Sequence, residues 1–190
     1  MQALSLSQVT VWCAARGVQM STAGYPHYGG VDFRCIEIRI PKEAGKLLAF
    51  GYSLLMTGVP EDEEKNFQGG VLWIKDSDLL SETFDRVGHQ LLNALRSTAL
   101  YEVKAVHTPA LSFAAGEIVE AQASIIIPMV FQWDAVMVPA SGDHVVFISH
   151  DEVIQITTRT AALFEDIFAR LEEGNWNLKE RKVPDYLAGC

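Results

Sequence analysis

The stretch HVVFISHDEVIQITT, residues 144–158, holds two runs of β-branched and aromatic side chains with His150 and Asp151 between them. Such runs favour strands. A parallel pair would need a crossover of about a dozen residues or more. The spacing therefore predicts an antiparallel hairpin and commits the chain to a sheet of that kind.

The same stretch carries an Asp-His pair at one end (Asp143-His144) and a His-Asp pair at the other (His150-Asp151). On an extended chain the two histidines point to one sheet face but stand ~20 Å apart, six steps of about 3.3 Å. One metal ion cannot hold both, because its bonds to nitrogen are only about 2 Å long. A helix fares no better, since six steps turn the chain by ~240°. Both pairs are expected to serve turns, with His150 and Asp151 supplying the positive φ that tight turns use.

Elsewhere the patterning predicts strands over 4–13, 31–40, 46–56, 70–74 and 129–138. Segments 31–40 and 46–56, joined by the short PKEAG, read as a second hairpin. In 78–96 the residues Leu80, Phe84, Val87, Leu91 and Leu95 recur at helical steps, which turns that stripe inward and His89 outward. Ser112 is the expected cap of a helix running over 112–127 and stopping before Pro128. A last amphipathic helix, with Leu163, Ile167, Phe168 and Leu171 inward, closes at Gly174. Together these predict an α+β fold: a single domain over 1–174 with a mainly antiparallel sheet of about seven strands and three helices. Residues 175–190 form a C-terminal tail, docked or flexible.

Composition narrows the partners. Among 190 residues, 49% are hydrophobic and 21% charged, enough apolar surface for one core. Fifteen basic against 24 acidic residues leave a formal net charge of −9, which repels phosphate backbones. We expect no nucleic-acid partner. The longest apolar run, IIIPMVF, is far short of the ~20 residues that span a bilayer, so no membrane association is expected either. Cys13, Cys35 and Cys190 make no CxxC pair and leave an odd thiol, which suits the cytoplasm.

Recognisable catalytic signatures, including GxGxxG, the P-loop, HExxH and GxSxG, do not occur. Cys13 and Cys35 lie in apolar, strand-like surroundings where cysteine serves as a small hydrophobe. One constellation survives, and it depends on chain routing. If 31–40 and 46–56 pair, the loop entering the first and the loop leaving the second emerge at one end of the sheet. Tyr25, His27, Tyr28, Glu61, Asp62, Glu63, Glu64 and Phe67 would then share a rim of aromatic and acidic side chains. Such a rim suits Arg and Lys, which pair with carboxylates and stack on rings.

The sequence therefore points to a non-enzymatic cytoplasmic protein-binding module with a basic protein as partner, immunity- or chaperone-like by analogy alone. The alternative is an enzyme acting on a small molecule, with a pocket near the same rim and His27 as acid or base. We expect neither a metal nor another cofactor. A metal held by His27 and two of the carboxylates matches no established ligand spacing.

Overall fold

The computed structural model describes residues 1–20, 26–28, 34–57, 59, 67–75, 86–97 and 110–181. In chain order the elements are β1 (Gln2–Leu4), α1 (Leu6–Ala14), β2 (Gln19–Met20), β3 (Pro26–His27), β4 (Cys35–Arg39), α2 (Ala44–Leu55) and β5 (Gly70–Ile74). They continue with α3 (Arg86–Ser97), β6 (Ala110–Phe113), α4 (Ile118–Phe131), β7 (Ala135–Pro139), β8 (His144–Ser149), β9 (Val153–Thr158), α5 (Ala161–Glu173) and β10 (Leu178–Arg181).

The expected β8–β9 hairpin is present, and Ser149 faces Val153 across a three-residue turn. Around it grows an α+β fold. Eight strands run in the order β1-β6-β5-β7-β8-β9-β4-β10, every pair antiparallel, with five helices among the described residues. The counts differ little from about seven strands and three helices. Strands β2 and β3 form a separate two-stranded ribbon.

Alternation along the strands gives the sheet two apolar faces. One carries Ile36, Ile38, Leu72, Ile74, Met137, Val146, Ile148, Ile154 and Ile156, all buried against residues of α2 to α5. Ile36 faces Ile156, which faces Val146, and Ile38 faces Ile154, which faces Ile148. Each such β-branched cross-strand pair contributes roughly 0.2–1 kcal/mol. The other face carries Val71, Trp73, Val136, Val138, Val145 and Phe147, packed with Val9 and Cys13 of α1 and with Tyr28.

Several expectations are corrected. Residues 4–13 hold a helix where a strand was expected. Ser5 Oγ accepts from the Gln8 backbone N–H at 3.3 Å, while Gln8 Oε1 accepts from the Ser5 N–H at 2.7 Å. This reciprocal cap outweighs the β-branched Val9, Thr10 and Val11. The run 46–56 is likewise helical: it buries Phe50, Gly51, Leu54 and Leu55, at helical spacing. With no strand there, the hairpin with 31–40 is absent, and β4 lies between β9 and β10. The first strands therefore make no meander.

Residues 110–113 form β6, so Ser112 caps nothing and α4 begins at Ile118 with Glu117 at its cap. That helix passes through Pro128 and ends at Phe131, so the following strand starts only at Ala135. Proline removes one intrahelical bond. The buried Ile125, Ile127 and Met129 beside it offset the loss.

In α3 the expected inward face is rotated. Val87 and Leu91 are exposed, at 61% and 48%, while His89 is buried. Gly88 explains the rotation. A Cβ there would stand 2.8 Å from the Phe131 ring and 2.9 Å from Trp133, so the helix seats its glycine against α4 and carries His89 inward with it. The His89 ring then lies 5.0 Å from that of Trp133. Part of the tail docks: Trp176 packs on Phe50 at 4.9 Å, and β10 pairs with β4.

Candidate functional site

The residues expected to share a rim are distributed as follows. Tyr28 is buried on the α1 side of the sheet, its hydroxyl donating to the Gly142 carbonyl at 2.9 Å. Phe67 is buried on the other face, in the core under α2 and α4. The two aromatic rings thus lie on opposite sides of the sheet. Half-buried His27 pairs through β3 with Gln19 of β2. Among the described residues no carboxylate lies within ion-pairing distance of His27; the histidine ion pairs found involve His150. Tyr25, Glu61, Asp62, Glu63 and Glu64 lie outside the described residues. The β4–α2 hairpin that was to bring all eight together does not exist.

The two Asp-His pairs occupy opposite ends of β8 and do different things. His144 is buried among α2 and the sheet. Thr57 Oγ1 donates to the Leu54 carbonyl at 2.6 Å and lies 3.0 Å from His144 Nε2. With its own proton committed, the threonine oxygen accepts from Nε2–H, and this fixes the tautomer. Among the described residues Nδ1 has no hydrogen-bond partner. Burial accordingly pushes the imidazole pKa down to about 4.

His150 instead fastens the hairpin turn. Its backbone N–H and its Nδ1 both approach Asp134 Oδ1, at 3.0 and 2.8 Å, and Lys75 Nζ lies 3.6 Å from Oδ2. Asp134 is only 6% exposed, and these partners are what a buried carboxylate requires. Positive φ in that turn belongs to Glu152, at 61°, and not to His150 or Asp151 as expected. A three-residue hairpin commonly ends on a left-handed residue, and the arrangement follows that rule.

Cys13 and Cys35 are fully buried, and burial raises the Cys13 thiol to about 11. A thiol so protonated is no nucleophile at neutral pH. Among the described residues no three His, Cys, Asp or Glu side chains converge as a metal site requires. Nor is any helix of these residues long and apolar enough to cross a membrane.

The outstanding surface lies on the outside of the helical layer. Helix α4 packs against both α2 and α3. Its buried side is Ala121, Ser124, Ile125 and Pro128. Its opposite side is a stripe at i, i+4, i+7 and i+11, namely Val119, Ala123, Ile126 and Val130, with Val119 71% and Val130 53% exposed. Gln122 Nε2 donates to the Leu48 carbonyl, and Gly51 abuts Ile126, so α2 lays its exposed Leu48 and Tyr52 alongside. Patterning left this face unremarked. The signal was there in IVEAQASIIIPMVF, which carries apolar residues on every side although a surface helix buries only one.

The stripe runs into an open hollow of about 220 Å³. Ile40, Pro41, Leu47, Met129 and Val130 give it an apolar lining, and Lys42, Gln132 and Glu152 a polar one. Gln132 Nε2 donates to Glu152 Oε1 at 2.9 Å, and Lys42 Nζ stands 3.0 Å from Oε2. The lysine hydrogen bond lowers the Glu152 carboxyl below its usual value. Two of these polar residues are left-handed, Gln132 at φ 55° as the C-terminal cap that follows α4 and Glu152 in the hairpin. Glycine would occupy either place at less cost, since a residue bearing a side chain gives up roughly 1 kcal/mol or more there. Comparison of the chain with protein-family models, with curated proteins and with solved structures found no match.

Proposed function

We propose that this chain is a non-enzymatic cytoplasmic module that binds a basic protein, and that the outer face of α4 and α2 is where the partner sits. The observation carrying this reading is the pair of exposed valines Val119 and Val130 on α4, with half-buried Ala123 and Ile126 between them and exposed Leu48 and Tyr52 on the adjoining α2. Isolated exposed apolar residues are ordinary, but four large ones on two helices packed against each other have the character of an interface. Full burial of each large side chain would contribute roughly 1.5–3 kcal/mol to association, before the entropy of docking is subtracted. A net charge of −9, together with the acidic run Glu61, Asp62, Glu63 and Glu64, favours a basic protein and opposes nucleic acid.

The test uses the whole chain immobilised and exposed to an extract of its source cells. The expected result is a basic protein retained at one-to-one stoichiometry, which then binds the purified chain in calorimetry. Val119→Lys with Val130→Lys, both at exposed positions, should weaken that complex at least tenfold while leaving the circular dichroism spectrum unchanged. Exchanging Glu61, Asp62, Glu63 and Glu64 for Lys should slow association and flatten its salt dependence. If no basic protein is retained stoichiometrically, the function is refuted. If the double valine variant binds as tightly as the original, the helical face is wrong.

A further inference from the structure

We infer that Arg16 and Arg159, on the α1 side of the sheet, form a binding site for a small oxyanion, the carboxylate or phosphate group of a ligand. The site lies across the sheet from the proposed docking face and does not depend on it.

Backbone carbonyls bring the two guanidiniums together. Arg16 follows α1; its Nε donates to the Ala140 carbonyl at 2.8 Å and its Nη1 to the Trp12 carbonyl at 3.1 Å. Arg159 follows β9, and its Nη2 donates to the carbonyl of Arg16 itself. Both side chains therefore lie against one short segment, Arg16–Gly17, beside the β7–β8 turn. Each also stands over a ring. Arg16 Cζ is 3.7 Å from the Trp12 centroid, and Arg159 Cζ is 5.4 Å from that of Tyr28, whose hydroxyl is tied to Gly142. Such stacking occupies the face of a guanidinium and leaves its edge for hydrogen bonds. Of five N–H donors apiece, Arg16 uses two and Arg159 one.

What these arginines lack is a counter-charge. Arg34 pairs with Glu165 and Glu180, and Arg170 with Asp166, yet among the described residues no carboxylate forms an ion pair with Arg16 or Arg159. Asp143 is joined to Arg159 through backbone alone, its carbonyl accepting from the Arg159 N–H at 2.8 Å. In a chain with 24 acidic and 15 basic residues, two neighbouring arginines left uncompensated are an exception. Like charges held side by side repel, and an oxyanion between them relieves that repulsion while its oxygens accept from both forks. The net charge of −9 does not decide against a small anion, because distant charges are screened over about 8 Å at physiological ionic strength. A polyanion extends further and still meets the acidic surface.

Two glycines make room for this arrangement. Gly17 and Gly142 have φ of +69° and +68°, and a Cβ on the first would stand 3.1 Å from Arg159 Nη2, on the second 2.6 Å from Arg16 Cβ. A side chain at either place would be strained in its backbone and would displace an arginine. The guanidiniums are thus set before a ligand arrives, which lowers the entropy lost on binding.

Inorganic phosphate and acetate are the probes, each titrated into the full chain against chloride at constant ionic strength, with the arginine Nε–Hε resonances followed by NMR. Saturable shifts of Arg16 and Arg159 at millimolar concentration are expected from at least one probe. The tighter of the two assigns the ligand to phosphate esters or to carboxylic acids. Arg159→Gln, at an exposed position, should weaken binding at least fivefold with an unchanged circular dichroism spectrum. Arg16→Lys keeps the charge but loses the fork, and should weaken it as well. Shifts that chloride reproduces, shifts that never saturate, or an affinity unchanged in either variant would each overturn the inference. Its failure leaves the docking face standing, because Val119 and Val130 are tested on the other side of the sheet.

Discussion

Acid should destabilise this protein through His144. The imidazole is buried, donates from Nε2 to Thr57 Oγ1 and has no partner for Nδ1 among the described residues, so a second proton would sit desolvated. Its pKa falls from the ordinary 6.5 to about 4 by desolvation. Between those values the unfolded chain binds the proton and the folded one does not, so stability is complete above about pH 6.5 and declines as the pH drops toward 4. The full span is worth about 3 kcal/mol, of which about 2 kcal/mol is gone near pH 5. That is a large part of the roughly 5–15 kcal/mol typical of a domain. Glu117 and Glu152, both lowered from 4.5, lose their contributions in a more acidic range and leave this window readable. The assay is urea unfolding near pH 7 and near pH 5, for the original chain and for His144→Gln, which keeps a donor for Thr57 but cannot titrate. The substitution should reduce the pH-dependent loss by about 2 kcal/mol. An identical loss in both proteins would refute the argument.

Three further outcomes follow from packing and backbone. Gly69→Ala combines a φ of +92° with a Cβ pressed into the Phe113 carbonyl, and should cost more than about 2 kcal/mol in the urea midpoint. Gln132→Gly relieves the left-handed end of α4 and should raise the melting temperature, by about 1 kcal/mol of stability less the lost bond to Glu152. His89→Phe keeps a ring against Trp133 and removes a buried Nε2 that has no hydrogen-bond partner among the described residues. A gain of about 1 kcal/mol is expected in the same measurement.

What could be read in advance depended on whether local pattern and tertiary burial agreed. In β5, β8 and β9 they did, because β-branched residues sit where both sheet faces are covered. The last helix also matched, with Thr160 accepting from the Leu163 N–H as its cap. At α2 the exposed Leu48 and Tyr52 filled in the polar side of the pattern, and the run passed for a doubly buried strand. At α1 the Ser5–Gln8 cap was the decisive clue, and the valines hid it. The hairpin from which the rim was derived failed for the same cause as α2, since one of its two strands is that helix. The hollow was not legible at all: Lys42, Gln132 and Glu152 are joined only by the fold, and nothing in their spacing announces it.

The place of β4 in the sheet has a bearing on how the chain can be made. Ile36 finds its neighbour at Ile156, about 120 positions further on, and its other neighbour at Glu180. During synthesis this strand leaves the ribosome long before either flank exists, with two apolar isoleucines and both rows of amide groups unpaired. Nascent chains halted between β4 and β9 should therefore be clients of holding chaperones, and release should await translation of the final hairpin and its closing strand.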